Sequence, residues 1–455
     1  IYHIWRLDRD DISYIEMTVQ RRKPTRHEGN AMAPRATPSV LSSDEAALRA
    51  RALRVIPGGM WGHMNVARLP PGYPQFFRQA RGCHLFDVAG KDYIDLMCGY
   101  GPIVLGYGDP DVEAAVAEQR SRGDLMTGPS ECMVELAELV VETIPHADWA
   151  LFAKNGSDVM TACVTIARAA TQRRKVLVAK GSYHGAAPWC TPSLAGVTAE
   201  DRAHILHYEY NDVASLERAA DEAGRDLAAV LVTAFRHDVK RHQEAPSVAF
   251  AQAMRRICDA AGAALVLDDV RAGFRIHLGG SWEPYGVRPD LCAWSKAIAN
   301  GHPLAAVTGN DRFRQAAQQV YLTGSFWCAA TPMAAAIATI KKLGATGAIA
   351  KMEAMGGRLR DGLEQQAREF GLPLRQTGPV QMPQIMFEDD VDFVLGNRFV
   401  LEMLRRGVYM HPWHNMFLSA AHQAADIDRV LEATNEALKL VAQSADRRQP
   451  TGAVQ

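Results

Sequence analysis

Ala263-Ala264-Leu265-Val266-Leu267-Asp268-Asp269-Val270-Arg271-Ala272-Gly273-Phe274-Arg275 opens on a run of apolar residues and closes it with two adjacent acids. A short apolar run without alternation reads as a strand buried on both faces. Two carboxylates at its end are costly in a dry site, so at least one needs a cationic partner. A second such run, Leu291-Cys292-Ala293-Trp294, ends in Ser295-Lys296, with Lys296 standing 28 positions after Asp268. Outward from these two, apolar runs at 149–153, 176–179, 205–207, 229–233 and 305–308 alternate with helical patterns. Seven runs in that alternation predict an α/β fold with a mostly parallel seven-stranded sheet and helices on both faces. Such sheets bind ligands in the crevice beyond the strand carboxyl ends, which makes the polar residues after each run the candidate site.

The flanks read differently. Residues 43–55 have helical periodicity with Ser43 as the cap and Pro57-Gly58-Gly59 as the stop, and 83–96 reads as a hairpin turning at Ala89-Gly90-Lys91. After Met333 come long helices, a strand-like 381–387 and a helix over 426–443, which together predict a smaller α+β lobe joined in space to the N-terminal piece. The expected division is a disordered or non-native leader at 1–38, with Met17 or Met32 as the natural start. An N-terminal segment at 39–105 contributes to the small lobe, followed by a large domain at 106–340, a C-terminal small domain at 341–445 and a tail at 446–455.

At 455 residues, 48% hydrophobic and 22% charged, the chain can bury a large core. Its formal net charge of -1 gives no sign of a nucleic-acid partner or an anionic membrane surface. The eight cysteines form no C-x-x-C pair, so reduced thiols in a cytoplasm are expected. No apolar run reaches the ~18 residues of a membrane span, and no signal-peptide core stands at the N-terminus.

Three strand ends carry chemistry. Lys154-Asn155-Gly156-Ser157-Asp158 opens a helix, and a helix start with a glycine and a hydroxyl is suited to a phosphate as well as to an ordinary cap. Asp268 and Asp269 suit a magnesium site and pyridoxal 5'-phosphate (PLP) equally well, because the pyridinium nitrogen of PLP offers the cation a buried carboxylate needs. Lys296 favours PLP: an amine made poorly hydrated there has a lowered pKa and attacks an aldehyde. Tyr183-His184-Gly185, after the 176–179 run, supplies a ring that can stack on a flat heterocycle. The rival from another class, a magnesium enzyme holding a nucleotide phosphate, lacks both a G-x-x-x-x-G-K-[ST] loop and a G-x-G-x-x-G after a strand. His411-Pro412-Trp413-His414 has no further ligands beside it in sequence, and no metal is expected.

In their order and spacing, Pro57-Gly58-Gly59, Tyr100-Gly101-Pro102, Asn155-Gly156-Ser157-Asp158, Tyr183-His184-Gly185, the Asp268 to Arg275 motif and Ser295-Lys296 resemble the class III aminotransferases of PLP fold type I, the group that includes glutamate-1-semialdehyde aminomutase. The resemblance spans about 43–440. It implies that Lys296 carries PLP as a Schiff base, Asp268 faces the pyridinium, Tyr183 stacks on the ring, and Asn155, Gly156, Ser157 and Val270 complete the cofactor contacts. It also implies a homodimer with shared sites, in which Ser325 reaches the neighbouring phosphate. Ile56-Pro57-Gly58-Gly59-Met60, Ser325-Phe326-Trp327 and the stretch from His414 to His422 resemble the bacterial aminotransferases that deaminate fumonisin-type amino polyols. That implies a ping-pong transaminase moving an amino group from a long-chain or bulky primary amine to a 2-oxo acid such as pyruvate, with an aminomutase or amino-acid racemase as the alternative. Trp61, Tyr100, Phe326 and Trp327 are then candidate pocket walls. The family's Glu-Pro is Thr233-Ala234 here, and Asn65 stands where aminomutases place an arginine, which turns the reading away from them. Arg236, Arg68 or His63 is left to hold the acceptor's carboxylate.

Overall fold

The computed structural model describes residues 41–446, so the leader expected at 1–38 and all but the first residue of the expected tail lie outside the described residues. The first helix is Ser43–Val55, but its cap is Ser42: the Ser42 hydroxyl accepts from the Glu45 N–H at 3.2 Å. Ser42 is extended, as a cap must be, whereas Ser43 is already helical.

Strands β1 (Phe77–Arg81), β2 (His84–Asp87) and β3 (Asp92–Asp95) form an antiparallel meander. Asp87 builds the β2–β3 turn. Its Oδ1 accepts from the Ala89 and Lys91 N–H groups at 2.9 Å each, and Gly90 takes a φ of +84°.

The large sheet uses β4 (Trp149–Ala153), β5 (Lys175–Ala179), β6 (Ile205–Tyr208), β7 (Leu227–Thr233), β8 (Ala264–Asp268), β9 (Leu291–Trp294) and β10 (Ala305–Gly309) in the order β4-β10-β9-β8-β7-β5-β6. Only β10 runs antiparallel to its neighbours, so the sheet is mostly parallel, as expected. Alternate side chains feed two cores. Leu265 and Leu267 pack with Leu216, Phe250, Met254 and Met333 on one face, and Ala264 and Val266 pack with Val159, Cys163 and Phe313 on the other. Helices Val213–Ala223, Val248–Ala261 and Ala330–Ala345 therefore cover one face, and Gly156–Thr171 and Asp311–Gln319 cover the other.

Beyond the sheet, Ala330–Ala345 and Ala348–Glu369 meet at 69° around Gly347, whose φ is +61°. Among the described residues, no single helix is long and apolar enough to cross a membrane. Strands β11 (Leu374–Thr377) and β12 (Gln384–Phe387) pair antiparallel. The strand expected from 381 starts only at Gln384, because Pro383 has no N–H to give a ladder and Met382 turns back to donate to the Pro379 carbonyl. β13 (Val408–Tyr409) pairs parallel with β3, so the C-terminal part completes the N-terminal sheet. The last helix, Ala424–Asp446, begins two residues before the expected 426.

Candidate active site

Four parallel strands aim their carboxyl ends at one crevice, and Lys296 lies in it just after β9. Its backbone is left-handed, with φ +48°, a region an ordinary side chain enters only under constraint. The half-buried amine donates to the Tyr100 carbonyl at 2.8 Å. Burial, then the charge of Arg271, pulls the Lys296 pKa down to about 7, against the opposing pull of Asp268. The Tyr100 carbonyl reaches this position through a turn of positive φ at Cys98, Gly99, Tyr100 and Gly101. Gly101 is required there: a Cβ would stand 3.0 Å from the Phe417 ring and 3.3 Å from Lys296 Cδ.

Asp268, the last residue of β8, is buried and holds His184: Oδ2 lies 2.7 Å from His184 Nδ1 while Oδ1 accepts from the Val270 N–H. With Nδ1–H directed at a carboxylate, His184 orients Asp268 and is itself buried with Nε2 unpartnered among the described residues. Asp269 turns elsewhere. Its Oδ2 accepts from the Ser281 N–H, and burial pushes its pKa up to about 6. The two acids face different partners and do not converge as a magnesium pair would need.

The Gly156–Thr171 helix starts beside them. Asp158 accepts from the Asn155 N–H at 2.9 Å and from its side-chain amide, which fixes the first turn. The Gly156 and Ser157 N–H groups have no partner among the described hydrogen bonds, as expected of first-turn donors. Two contacts close the corner. A Cβ on Gly156 would meet Val270 at 3.0 Å, and one on Gly185, whose φ is +124°, would meet Ser157 Oγ at 2.5 Å. Ser157 Oγ also accepts from the Ala186 N–H at 3.0 Å. Tyr183, in the same loop, is 46% exposed.

The arrangement fits PLP. Helix-start N–H groups without a described partner, a glycine corner that tolerates no side chain, an oriented carboxylate, an exposed tyrosine and a lysine of lowered pKa gather beyond the carboxyl ends of β4, β5, β8 and β9.

Other expected residues distribute unevenly. Tyr100 is buried, edge-on to His63 and His414. Trp61 is exposed at the rim. Arg236 Nη1 pairs with Glu244 Oε2 at 3.1 Å, and Arg68 is exposed. Ser325 and Phe326 are exposed, and Trp327 packs on the core beneath the Gly156–Thr171 helix. Among the described residues no hydrogen bond, ion pair or ring contact joins 325–327 to Lys296, Asp268 or Gly156 within one chain.

Several residues that build the crevice were not singled out from sequence. Arg275 donates to the carbonyls of Gly101, Ile103 and Leu418. Asn300 clamps the same segment through the Val104 and Leu105 N–H groups and the Gly106 carbonyl. Arg271 is buried and donates to the His237 carbonyl and to Asn415 Oδ1. The Asp268-to-Arg275 run named both arginines, but nothing in it says which remote loops they meet.

The family described as Aminotransferase class-III matches residues 69–438. The chain is 50% identical over 403 residues to the aminopentol aminotransferase of Sphingopyxis macrogoltabida, covering 89% of this chain and 96% of that one. The PLP internal aldimine form of the FumI protein of Sphingopyxis sp. MTA144 superposes with a TM-score of 0.88 at 50% identity, over 90% of this chain and 99% of that one. The glutamate-1-semialdehyde 2,1-aminomutase of Roseiflexus castenholzii is 32% identical over 425 residues, 88% of this chain and 98% of that one. With a crevice that fits PLP and these relatives along almost its whole length, the chain belongs to the class III aminotransferases, enzymes that use PLP to exchange an amino group between an amine and an oxo acid.

Proposed function

We propose that this aminotransferase takes the amino group of a long-chain or bulky primary amine, of the aminopentol kind, and delivers it to a 2-oxo acid such as pyruvate by a ping-pong mechanism. The observation that carries the donor class is the 50% identity to an aminopentol aminotransferase over 403 residues. When bound, PLP supplies a carbonyl that exchanges amino groups and an electron sink for charge at the donor carbon.

The chain's own groups do the rest. Lys296, with a pKa near 7, is available as a free amine to hold the cofactor and then to take and return the proton of the donor carbon. Asp268, oriented by His184, keeps the ring nitrogen protonated. Gly156 and Ser157 take the phosphate at the helix start, next to Asn155, while Tyr183 covers the ring and Val270 packs beside it. Tyr100 and Trp61 form one wall of the substrate pocket, and Arg236 lies in the loop after β7.

The same reading makes the enzyme a homodimer, with Ser325, Phe326 and Trp327 completing the site across the interface. Support comes from the surface. Leu125, Met126, Tyr321 and Phe326 are exposed, and their two segments are tied together where Ala330 and Thr331 donate to Asp124. The reading also divides the chain into a large domain at 106–340 and a small one built from 39–105 and 341–445. Its compartment is the cytoplasm, supported by eight free cysteines.

Purified enzyme given a long-chain primary amine and pyruvate should form alanine and the matching carbonyl product in equal amounts. An isomerised amine without alanine would make it an aminomutase instead.

A further inference from the structure

Where β1 turns into β2, Cys83 and His84 set a thiol beside an imidazole, and the fold brings them a carboxylate from the other end of the chain, Asp426 in the first turn of the last helix. Cys83 Sγ donates to Asp426 Oδ2 at 3.4 Å, and His84 Nε2 lies 3.6 Å from Asp426 Oδ1. One sulfur, one nitrogen and one oxygen from the three residues all stand within 4.8 Å of one another. A zinc ion with bonds of about 2.0 Å to nitrogen and oxygen and about 2.3 Å to sulfur spaces its tetrahedral ligands roughly 3.3 to 3.8 Å apart, so two of the three edges already have that length.

The neighbours hold each ligand in the form a metal needs. Asp92 Oδ1, 2.8 Å from His84 Nδ1, keeps the proton on that nitrogen, as carboxylates do behind metal-bound histidines. His84 Nε2 is then an acceptor facing a second acceptor, Asp426 Oδ1, and a cation between them turns that repulsion into two bonds. Asp426 Oδ2 accepts from the Gln423 N–H at 2.9 Å, so the helix start fixes the carboxylate with Oδ1 turned to His84. Cys83 is buried, while the side chains of His84 and Asp426 are 24% and 16% exposed, which leaves one open edge for entry and for a water as fourth ligand. Calcium and magnesium take oxygen ligands and do not suit a sulfur and a nitrogen. A thiolate, a carboxylate and a neutral imidazole together match the charge of a divalent ion.

We propose that Cys83, His84 and Asp426 form a zinc site that ties the β1–β2 turn to the last helix. On binding, zinc replaces the thiol proton of Cys83, which leaves to solvent, and three bonds to protein and one to water complete the tetrahedron. Among the described residues no hydrogen bond or ion pair joins these three to Lys296, Asp268 or Gly156, so the site is separate from the crevice. The sequence raised no expectation of it, because Asp426 stands 343 positions from Cys83.

Cobalt(II) in place of zinc reports such a site by colour. Holoenzyme stripped with EDTA and titrated with cobalt(II) should gain the long-wavelength bands of a tetrahedral thiolate site, clear of the cofactor's own absorbance, saturating at one ion per chain and erased by one equivalent of zinc. Cys83→Ser and His84→Gln should show none of these bands. Asp92→Asn should bind cobalt about tenfold more weakly or worse, and Cys190→Ser, at a thiol that is only half-buried, should match the wild type. X-ray absorption of the zinc-loaded wild type needs no variant: the expected shell has one sulfur at about 2.3 Å and nitrogen or oxygen at about 2.0 Å. A wild type that gains no cobalt bands, bands that persist in Cys83→Ser, or a zinc shell without sulfur would overturn the proposal, the first by leaving His84 as an imidazolium bridge between Asp92 and Asp426.

Discussion

At Lys296 a left-handed backbone, which costs an ordinary residue about 1 to 3 kcal/mol, coincides with an amine deprived of water. The consequence is a nucleophile at neutral pH. Because its pKa lies near 7 and not 10.5, cofactor-free protein should capture PLP at a rate that rises between about pH 6 and about pH 8 and then levels, as stopped-flow absorbance would follow. A rate still climbing at pH 10 would contradict this. The sign for stability follows from the same shift. Between about 7 and 10.5 the unfolded chain holds a proton on Lys296 that the folded chain lacks, so this group makes the cofactor-free fold more stable as pH rises through that window. Gly185 offers a second residue-scale test. A methyl group there would press on Ser157 at the helix start, where φ is also +124°, so Gly185→Ala should weaken PLP binding at least about tenfold, measured by equilibrium titration of the cofactor-free protein. Lys296, Asp268, Gly156 and Ser157 were legible in sequence because each stands at or just beyond the carboxyl end of an apolar strand. The pairing of His184 with Asp268, the close approach of Gly101 to Lys296 and the loops that hold Arg271 were not, because each joins positions tens to hundreds apart.

Among the elements, the strands of the large sheet read clearly because burial on both faces leaves the central ones almost wholly apolar. The direction of β10 was hidden for the same reason: an apolar run looks alike in either orientation, and its antiparallel course is set by the chain returning from Lys296 through Asn300. Short elements depend on single residues. The Ser42 cap and the late start of β12 turned on which backbone N–H was available, a one-residue matter that periodicity does not resolve. The β2–β3 turn isolates backbone strain. Gly90 has φ +84° and nothing within 4 Å of where a Cβ would be, so Gly90→Ala should cost about 1 kcal/mol in urea unfolding and leave the rate of alanine formation unaltered. A loss of several kcal/mol would mean that the turn packs against something the geometry does not show.

For the whole molecule, the residues proposed to hold PLP meet within one chain with the exception of Ser325, while the segment carrying Ser325 and Phe326 stands on the surface. The dimer proposal makes these facts one. Sedimentation should give about twice the chain's 49.8 kDa, and Phe326→Asp should shift the enzyme toward monomer and lower its activity in step. Full activity in a monomer would separate the two. All of this depends on where the cofactor is held. Reduction of the yellow holoenzyme with borohydride, digestion and peptide mass mapping should find the pyridoxyl group on the peptide containing Lys296, and Lys296→Ala should carry none. Label on a different lysine, or a protein that stays colourless and unlabelled after incubation with PLP, would contradict the account.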